Sequence, residues 1–442
     1  MCRRKRRFSS RFFSPSRRIC TKSVTTLPGY NRSMHRREFI GMTSWAAMTG
    51  ILRAAPAAGE PANEAYWLLV RRQFPLEDGL LYFNAANVCP ASRAVLDRYA
   101  QFERDFQSNP SFQNREKYAP MRTQARGKVA RLINASPGEI AFTRNTSESN
   151  CTIVKGLDLK AGDEILVADH NHPSNRQSWQ IRAKREGLVV KSIPLPTPAP
   201  GRDAIISAFE RAITPKTRVL GLTHVTNVTG LQFPVKEIAE IGHRHGLWVH
   251  VDGAQSFGAL QIDVKALGCD SYSASTHKWL MGPLEAGILY VRSERMNEVW
   301  PSIVTAGWRD NLNDSLKLEV FGQQDDPRMA GLDAALDFVS LIGPRNIESR
   351  LRWIATYLKE QIRELPVELK TNMEPELCGG VVKFATGAKS VKQVYDVLWE
   401  RHRIAIAKTD SGDAAGLRFS PHIYNTKEDV DRAVKAVKSV VV

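Results

Sequence analysis

The sequence predicts an α/β protein: a large domain built on a mostly parallel sheet, followed by a smaller α+β domain. Three observations carry that expectation. Between residues 140 and 292, apolar runs of strand length alternate with helix-period segments, the pattern of a parallel sheet covered on both faces. One of these runs, Leu247-Trp248-Val249-His250-Val251, ends on a carboxylate, Asp252, and other chemistry-bearing residues also fall just after strand ends, where such sheets bind ligands. In the tail the runs shorten, with strand-like segments at 379–384 and 404–407 and helical ones near 390–400 and 426–440.

Composition narrows the function classes. A chain of 442 residues buries a substantial core and is long enough for more than one domain. Its formal net charge of +16 sits mostly in the first 58 residues, which hold thirteen Lys/Arg and one acid, Glu38. The other 384 residues carry 49 basic and 45 acidic side chains, so the folded body is nearly balanced and a nucleic-acid partner is not expected. The six cysteines (Cys2, Cys20, Cys89, Cys151, Cys269, Cys378) show no CxxC spacing and no dense disulfide framework.

The expected organisation is a basic leader over 1–58, a large α/β domain over 59–310 and a small α+β domain over 311–442. Residues 1–33 are rich in Arg, Ser and Thr without hydrophobic periodicity and read as disordered. His35-Arg36-Arg37-Glu38-Phe39-Ile40-Gly41 then precedes a short apolar stretch, 42–52, and the small residues Ala54-Ala55-Pro56-Ala57-Ala58. A charged segment, a short apolar segment and an A-x-A-like end make an export signal, too short for a stable membrane span. The paired arginines resemble the twin-arginine signal, which implies passage of a folded protein through that machinery to the periplasm. Met34 lies just ahead of the motif and is an alternative start.

Along the body, 64–74 reads as a helix, and Leu80, Tyr82 and Phe83 as a strand leading to a turn at Asn84. Helices follow at 91–108 and 120–134. Ser136-Pro137-Gly138-Glu139 has the capping-box pattern, with proline at the first helical position. The strand at 140–143 delivers Thr146 and Ser147 to a helix start, either as a plain N-cap or as an anion site built on free N–H groups and the helix dipole. Strand 164–167 ends near His170 and His172, open to a stacking or a metal reading, and no further ligand cluster supports the metal. Strand 218–223 leads to Asn227 before Val-Thr-Gly, and 234–245 is an amphipathic helix. Twenty-six residues after Asp252, Lys278 follows the small polar run Ser275-Thr276-His277. An acid at a strand end and a lysine on a nearby turn suit pyridoxal phosphate. The lysine forms a Schiff base with the aldehyde, and the acid keeps the pyridine nitrogen protonated so that the ring accepts electrons.

The string from His250 to Gln255, on through Ser275 to Lys278, together with Arg418-Phe419-Ser420-Pro421-His422-Ile423-Tyr424-Asn425, resembles the class V aminotransferase family of pyridoxal-phosphate enzymes. The likeness covers roughly residues 65–440. It implies the fold type I architecture of such enzymes and a homodimer with its active sites near the subunit interface. By resemblance Thr146, Ser147, Ser275 and His277 hold the cofactor phosphate and His172 stacks on the ring, with His170 the competing position. Asn227 and Gln255 sit by the ring oxygen, Asp252 binds the ring nitrogen and Lys278 carries the aldehyde. Arg418 clamps the carboxylate of an amino-acid-like substrate, and Asn84 belongs to the N-terminal active-site turn. Gln324 stands where relatives carry a threonine that reaches the neighbouring subunit's phosphate.

Departures from the family pattern bear on the reaction. Cysteine desulfurases need a nucleophilic cysteine shortly before the carboxylate-binding arginine, and residues 400–417 contain none. The His-Ile-Tyr-Asn ending is closer to the isopenicillin N epimerase branch. The expectation is therefore an aminotransferase or epimerase. The alternatives are a C–S or other β-lyase and, outside enzymes, an exported binding protein on the same fold.

Overall fold

The computed structural model describes residues 60–306, 308 and 313–442. The basic leader and its twin-arginine motif lie outside the described residues. The chain opens with α1 (Glu64–Arg71), a two-residue strand β1 (Leu81–Tyr82), α2 (Arg93–Ser108), α3 (Phe112–Arg115) and α4 (Tyr118–Leu132). A βα alternation follows: β2 (Ile140–Thr143), α5 (Thr146–Gly156), β3 (Glu164–Ala168), α6 (Pro173–Glu186), β4 (Val189–Ile193), α7 (Arg202–Ala212), β5 (Thr217–Thr223), α8 (Val235–Arg244), β6 (Trp248–Asp252), α9 (Val264–Leu267), β7 (Ser271–Ser275) and β8 (Gly287–Val291). The remainder is α10 (Arg328–Ile342), α11 (Pro344–Arg363), β9 (Val382–Phe384), α12 (Val391–His402), β10 (Ile404–Ala405), β11 (Ala407–Thr409), β12 (Gly416–Phe419) and α13 (Lys427–Val441).

Seven strands form one sheet in the order β2-β8-β7-β6-β5-β3-β4. The pairings β3–β4, β3–β5, β5–β6 and β6–β7 are parallel, while β8 runs antiparallel to both β7 and β2. The sheet is thus the mostly parallel one expected. Its interior strands are buried on both faces because the crossover helices cover them, which is why β3, β5 and β6 read as near-continuous apolar runs. Ile165, Val167, Val219, Trp248 and Leu289 pack with Trp179 of α6 in one core. Burial of side chains of this size contributes about 1.5–3 kcal/mol each. Strand order reverses at β3: β4 lies on one side and β5, β6 and β7 on the other, so the loops after β3 and β5 face each other across a crevice.

A second sheet, β11-β12-β9, is antiparallel, and β1 pairs in parallel with β10. Val382, Phe384, Leu417 and Phe419 of this sheet pack on Leu358, Leu398 and Val430 of the flanking helices. Alternation along the strands sends Lys383 and Arg418, direct cross-strand partners, to the other face.

Several expectations are corrected. The capping box at Ser136 is formed, the Ser136 N–H donating to Glu139 Oε2 at 2.8 Å, but it opens a single 3-10 turn and not an α-helix. The chain must turn at once into β2, where Arg126 and Glu319 hold it: Arg126 donates to the Ile140 carbonyl and Glu319 accepts the Phe142 N–H at 2.7 Å. The N-cap of α5 is neither Thr146 nor Ser147 but Asn145, whose side chain accepts the Glu148 N–H at 3.1 Å. A polar strand, β7, precedes Lys278 and takes in Ser275, while Thr276 and His277 lie in the turn after it. The strand read at 80–83 shrinks to two residues and pairs outside the main sheet.

Candidate active site

The C-terminal ends of β5, β6 and β7, the loop after β3 and the start of α5 surround a cavity of about 180 Å³. Asp252 is the last residue of β6, placed there by the apolar strand behind it. Its Oδ1 accepts the Ala254 N–H at 3.0 Å and its Oδ2 accepts Asn150 Nδ2–H at 3.0 Å. Gly253 allows the turn that follows: a Cβ there would lie 2.0 Å from the Tyr272 ring, so no side chain fits.

Lys278 follows β7 and lines the same cavity. Burial pulls its amine below the ordinary 10.5, Asp252 opposing and Arg418 adding to the effect. His277 beside it is held neutral, pushed down to about 4 by burial and by Lys278, and its buried Nδ1 has no partner among the described residues. At the start of α5, Thr146 donates its N–H to Ser275 Oγ at 2.8 Å, and the two hydroxyls lie 2.6 Å apart. Thr146, Ser147, Ser275 and His277 therefore form one hydroxyl-rich corner at a helix N-terminus, the chemistry that suits a phosphate.

His172 caps α6. Its Nδ1 accepts the Ser174 N–H at 3.2 Å, which leaves the proton of the neutral ring on Nε2. Burial and Lys278 lower its pKa. His170 turns away toward Thr197, its Nε2 3.4 Å from that hydroxyl, and does not line the cavity. Of the two histidines, the structure brings His172 to the site. Among the described residues no group of three or more His, Cys, Asp or Glu is arranged to hold a metal.

Gln255 lines the cavity with its amide fixed at both ends, Oε1 accepting Trp279 Nε1–H at 2.7 Å and Nε2 donating to the Ala86 carbonyl at 2.9 Å. Asn227 lines it too, and its carbonyl accepts Arg418 Nη1–H at 2.9 Å. Arg418 Nη2 donates to Asn84 Oδ1 at 3.2 Å, so Asn84 reaches the site through the guanidinium and not at the cavity wall. Among the described residues Arg418 has no carboxylate ion-pair partner and its buried Nε no hydrogen-bond partner, and burial draws it down to about 10. Lys383, opposite it on β9, is buried and donates to Thr409 Oγ1 at 2.7 Å. Burial and Arg418 pull its pKa down to about 7. Arg418, Asn84 and Gln324 are the expected residues that do not line this cavity, and Arg418 and Asn84 are tied to it through Asn227. Gln324 donates to the Glu319 carbonyl at 3.2 Å.

Sequence reading missed several participants. Asn145, Ser174 and Thr223 line the cavity, and Asn150 holds Asp252 from one turn inside α5. The spacing of Asn145 to Glu148 as an N-cap and its third helical residue was the available signal for the first. Nothing local marks Asn150, whose partner is about a hundred residues away.

The residues fit pyridoxal phosphate. A depressed amine and a carboxylate line one cavity, a hydroxyl-rich helix start forms one corner, and buried polar atoms of His277 and Arg418 are without partners among the described residues. The comparisons agree. The class V aminotransferase model matches residues 81–433. Isopenicillin N epimerase of Amycolatopsis lactamdurans is 30% identical over 392 residues, covering 85% of this chain and 98% of that protein. A probable cysteine desulfurase of Halalkalibacterium halodurans is 31% identical over 412 residues, covering 84% and 96%. Among solved structures, a mutant of C-DES with glycine covalently linked to the PLP cofactor superposes with a TM-score of 0.76 at 25% identity, covering 83% of this chain and 98% of that one. The cysteine desulfurase CsdA of Escherichia coli gives 0.74 at 27%, covering 84% and 97%. Fold and site thus define a pyridoxal-phosphate-dependent enzyme. The chain belongs to the class V aminotransferase family.

Proposed function

We propose that the enzyme acts on an α-amino acid or a close relative as an aminotransferase or epimerase, with Lys278 as the proton carrier and Arg418 as the carboxylate clamp. One observation carries this reading: the buried Arg418 guanidinium, without a carboxylate partner among the described residues, is bonded to Asn227 of the cavity that holds Lys278 and Asp252. A buried cation left in this way is costly unless a ligand supplies the anion, and a guanidinium binds a carboxylate through two parallel N–H bonds.

Each residue then has a task. Thr146, Ser147, Ser275 and His277 would hold the cofactor phosphate, and His172 would offer its ring to the cofactor. Asp252, its two oxygens already oriented by Ala254 and Asn150, holds the proton on the ring nitrogen. When bound, pyridoxal phosphate supplies an electron sink for the bond broken at the substrate's α-carbon. Arg418 Nη1 and Nη2 fix the carboxylate, releasing part of their hold on Asn227 and Asn84. Lys278 Nζ, whose burial favours the neutral amine that can accept a proton, takes the α-proton and returns it. Return of that proton to the opposite face of the same carbon would give epimerisation, and its delivery by Lys278 elsewhere than that carbon would give transamination.

A β-lyase reading is supported by one comparison, the cystine C–S lyase C-DES in complex with cysteine persulfide, which superposes at a TM-score of 0.76 and 26% identity. The persulfide route of a desulfurase is disfavoured by this chain's own cysteines. Residues 400–417 carry none, and Cys378 is buried with its Sγ 3.3 Å from Lys359 Nζ.

The same reading includes a homodimer with its active sites near the subunit interface, and export to the periplasm through the twin-arginine machinery. The test is an absorption spectrum of the purified protein before and after an amino-acid panel, with Lys278→Ala alongside. A cofactor band that depends on Lys278 and moves with particular amino acids supports the proposal. A band indifferent to every amino acid leaves a binding protein.

A further inference from the structure

Behind Asp252 a chain of buried polar groups runs back along β6 and β7. Asn150 Nδ2 donates to Asp252 Oδ2 at 3.0 Å. The carboxylate only accepts, so the Asn150 amide has its nitrogen toward Asp252 and its oxygen away from it. That oxygen lies 2.9 Å from His250 Nε2 and also accepts from Ser273 Oγ. His250 Nδ1 lies 2.8 Å from Ser271 Oγ, which accepts Trp248 Nε1–H at 3.0 Å. Asn150, His250, Ser271 and Ser273 are fully buried.

Only one proton arrangement satisfies every member. Asn150 Oδ1 can only accept, so the imidazole proton is on Nε2. His250 Nδ1 then accepts, and Ser271 gives it the hydroxyl proton while taking the indole N–H. An imidazolium would place donors on both nitrogens and leave the Ser271 proton without an acceptor. Burial works in the same direction, pushing His250 down to about 4. A buried network in which each group is satisfied in one direction only is rigid, and misplacing one proton exposes an unpaired polar group.

We infer that Asn150 and His250 are positioning residues for the reaction: the fixed Nε2–H tautomer of His250 locks the Asn150 amide, which in turn presents the Asp252 carboxylate to the cofactor ring nitrogen. This rests on the reading that Asp252 faces that nitrogen. Ser271 and Trp248 set the tautomer from the far end of the strand, so the relay couples the strand's base to the electronics of the site. His250→Gln keeps an N–H toward Asn150 and an oxygen toward Ser271, whereas His250→Leu removes both.

The experiment uses the full-length holoenzyme. Selective ¹⁵N-histidine labelling should show His250 as a neutral ring, protonated on Nε2, at pH 7; an Nδ1–H tautomer or an imidazolium overturns the inference whatever the variants do. Asn150→Ala and His250→Leu should each weaken pyridoxal phosphate binding, measured by equilibrium dialysis, by about tenfold, the scale for a lost hydrogen bond to a charged group. They should also shift the pH response of the cofactor absorption band, and His250→Gln should restore both. Wild-type affinity and an unmoved band in folded Asn150→Ala overturn it. Asp252→Asn separates the two claims. If it alters the band and the relay variants do not, the relay fails and the site reading stands; if it changes nothing, the site reading itself fails.

Discussion

Burial draws the Lys278 amine below the 10.5 of an ordinary lysine, and Arg418 pulls the same way while Asp252 opposes. A lysine acting as base must be unprotonated, so the proton-transfer rate should rise with pH as Lys278 loses its proton. A lowered pKa places that rise below 10.5, and a pH profile of single-turnover rates reads it directly. Arg418 gives a complementary expectation. Arg418→Met removes two charge-assisted bonds to the substrate carboxylate and should raise KM by about 10- to 100-fold, with a smaller change in kcat. An amine substrate lacking the carboxylate should show no such difference between the two proteins. The core of the site was legible residue by residue where the chemistry is local, as with Asp252 at the end of an apolar strand and Lys278 after its polar run. Asn150, His250 and Lys383 were not legible as site residues, because each acts across strands on a partner that sequence spacing does not place beside it.

Two elements show how packing decides what sequence periodicity leaves open. Strand β7, Ser-Tyr-Ser-Ala-Ser, has little apolar character, yet it is buried on both sides. Its hydroxyls are satisfied inside: Ser271 by Trp248 and His250, Ser273 by Asn150 and Ser275 by Thr146. A polar strand of this kind is stable only next to a polar network, so its composition concealed the strand while marking the site. Strand β2 depends on a buried ion pair instead. Arg126 Nη2 lies 2.6 Å from Glu319 Oε1, and Glu319 also accepts the Phe142 N–H. Arg126→Met would leave Glu319 buried with only the longer Arg122 contact, 3.9 Å, and should cost about 3 kcal/mol, read as a lower Tm. Glycines at element ends fix the approach of the two sheets. Gly230, at φ +78°, would place a Cβ 2.4 Å from the Val381 carbonyl. Gly230→Ala should therefore lower the Tm and disturb the neighbouring Asn227 turn.

At the scale of the molecule, charge and function separate. The leader carries most of the +16, and the body that holds the site is nearly balanced. Among the described residues no helix is long and apolar enough to cross a membrane. The export proposal makes its own prediction: Arg36→Lys with Arg37→Lys should leave the folded enzyme in the cytoplasmic fraction, and unchanged periplasmic yield would contradict it. The central claim is that Lys278 moves the α-proton of a substrate whose carboxylate Arg418 holds. Its most direct test is exchange of the α-hydrogen in D₂O over an amino-acid panel, followed by NMR, for the wild-type protein and for Lys278→Ala and Arg418→Met. The account predicts rapid exchange with a subset of amino acids, none above background without Lys278, and exchange slowed mainly through KM without Arg418. Full cofactor loading with no exchange on any amino acid, or equal exchange in Lys278→Ala, would contradict it.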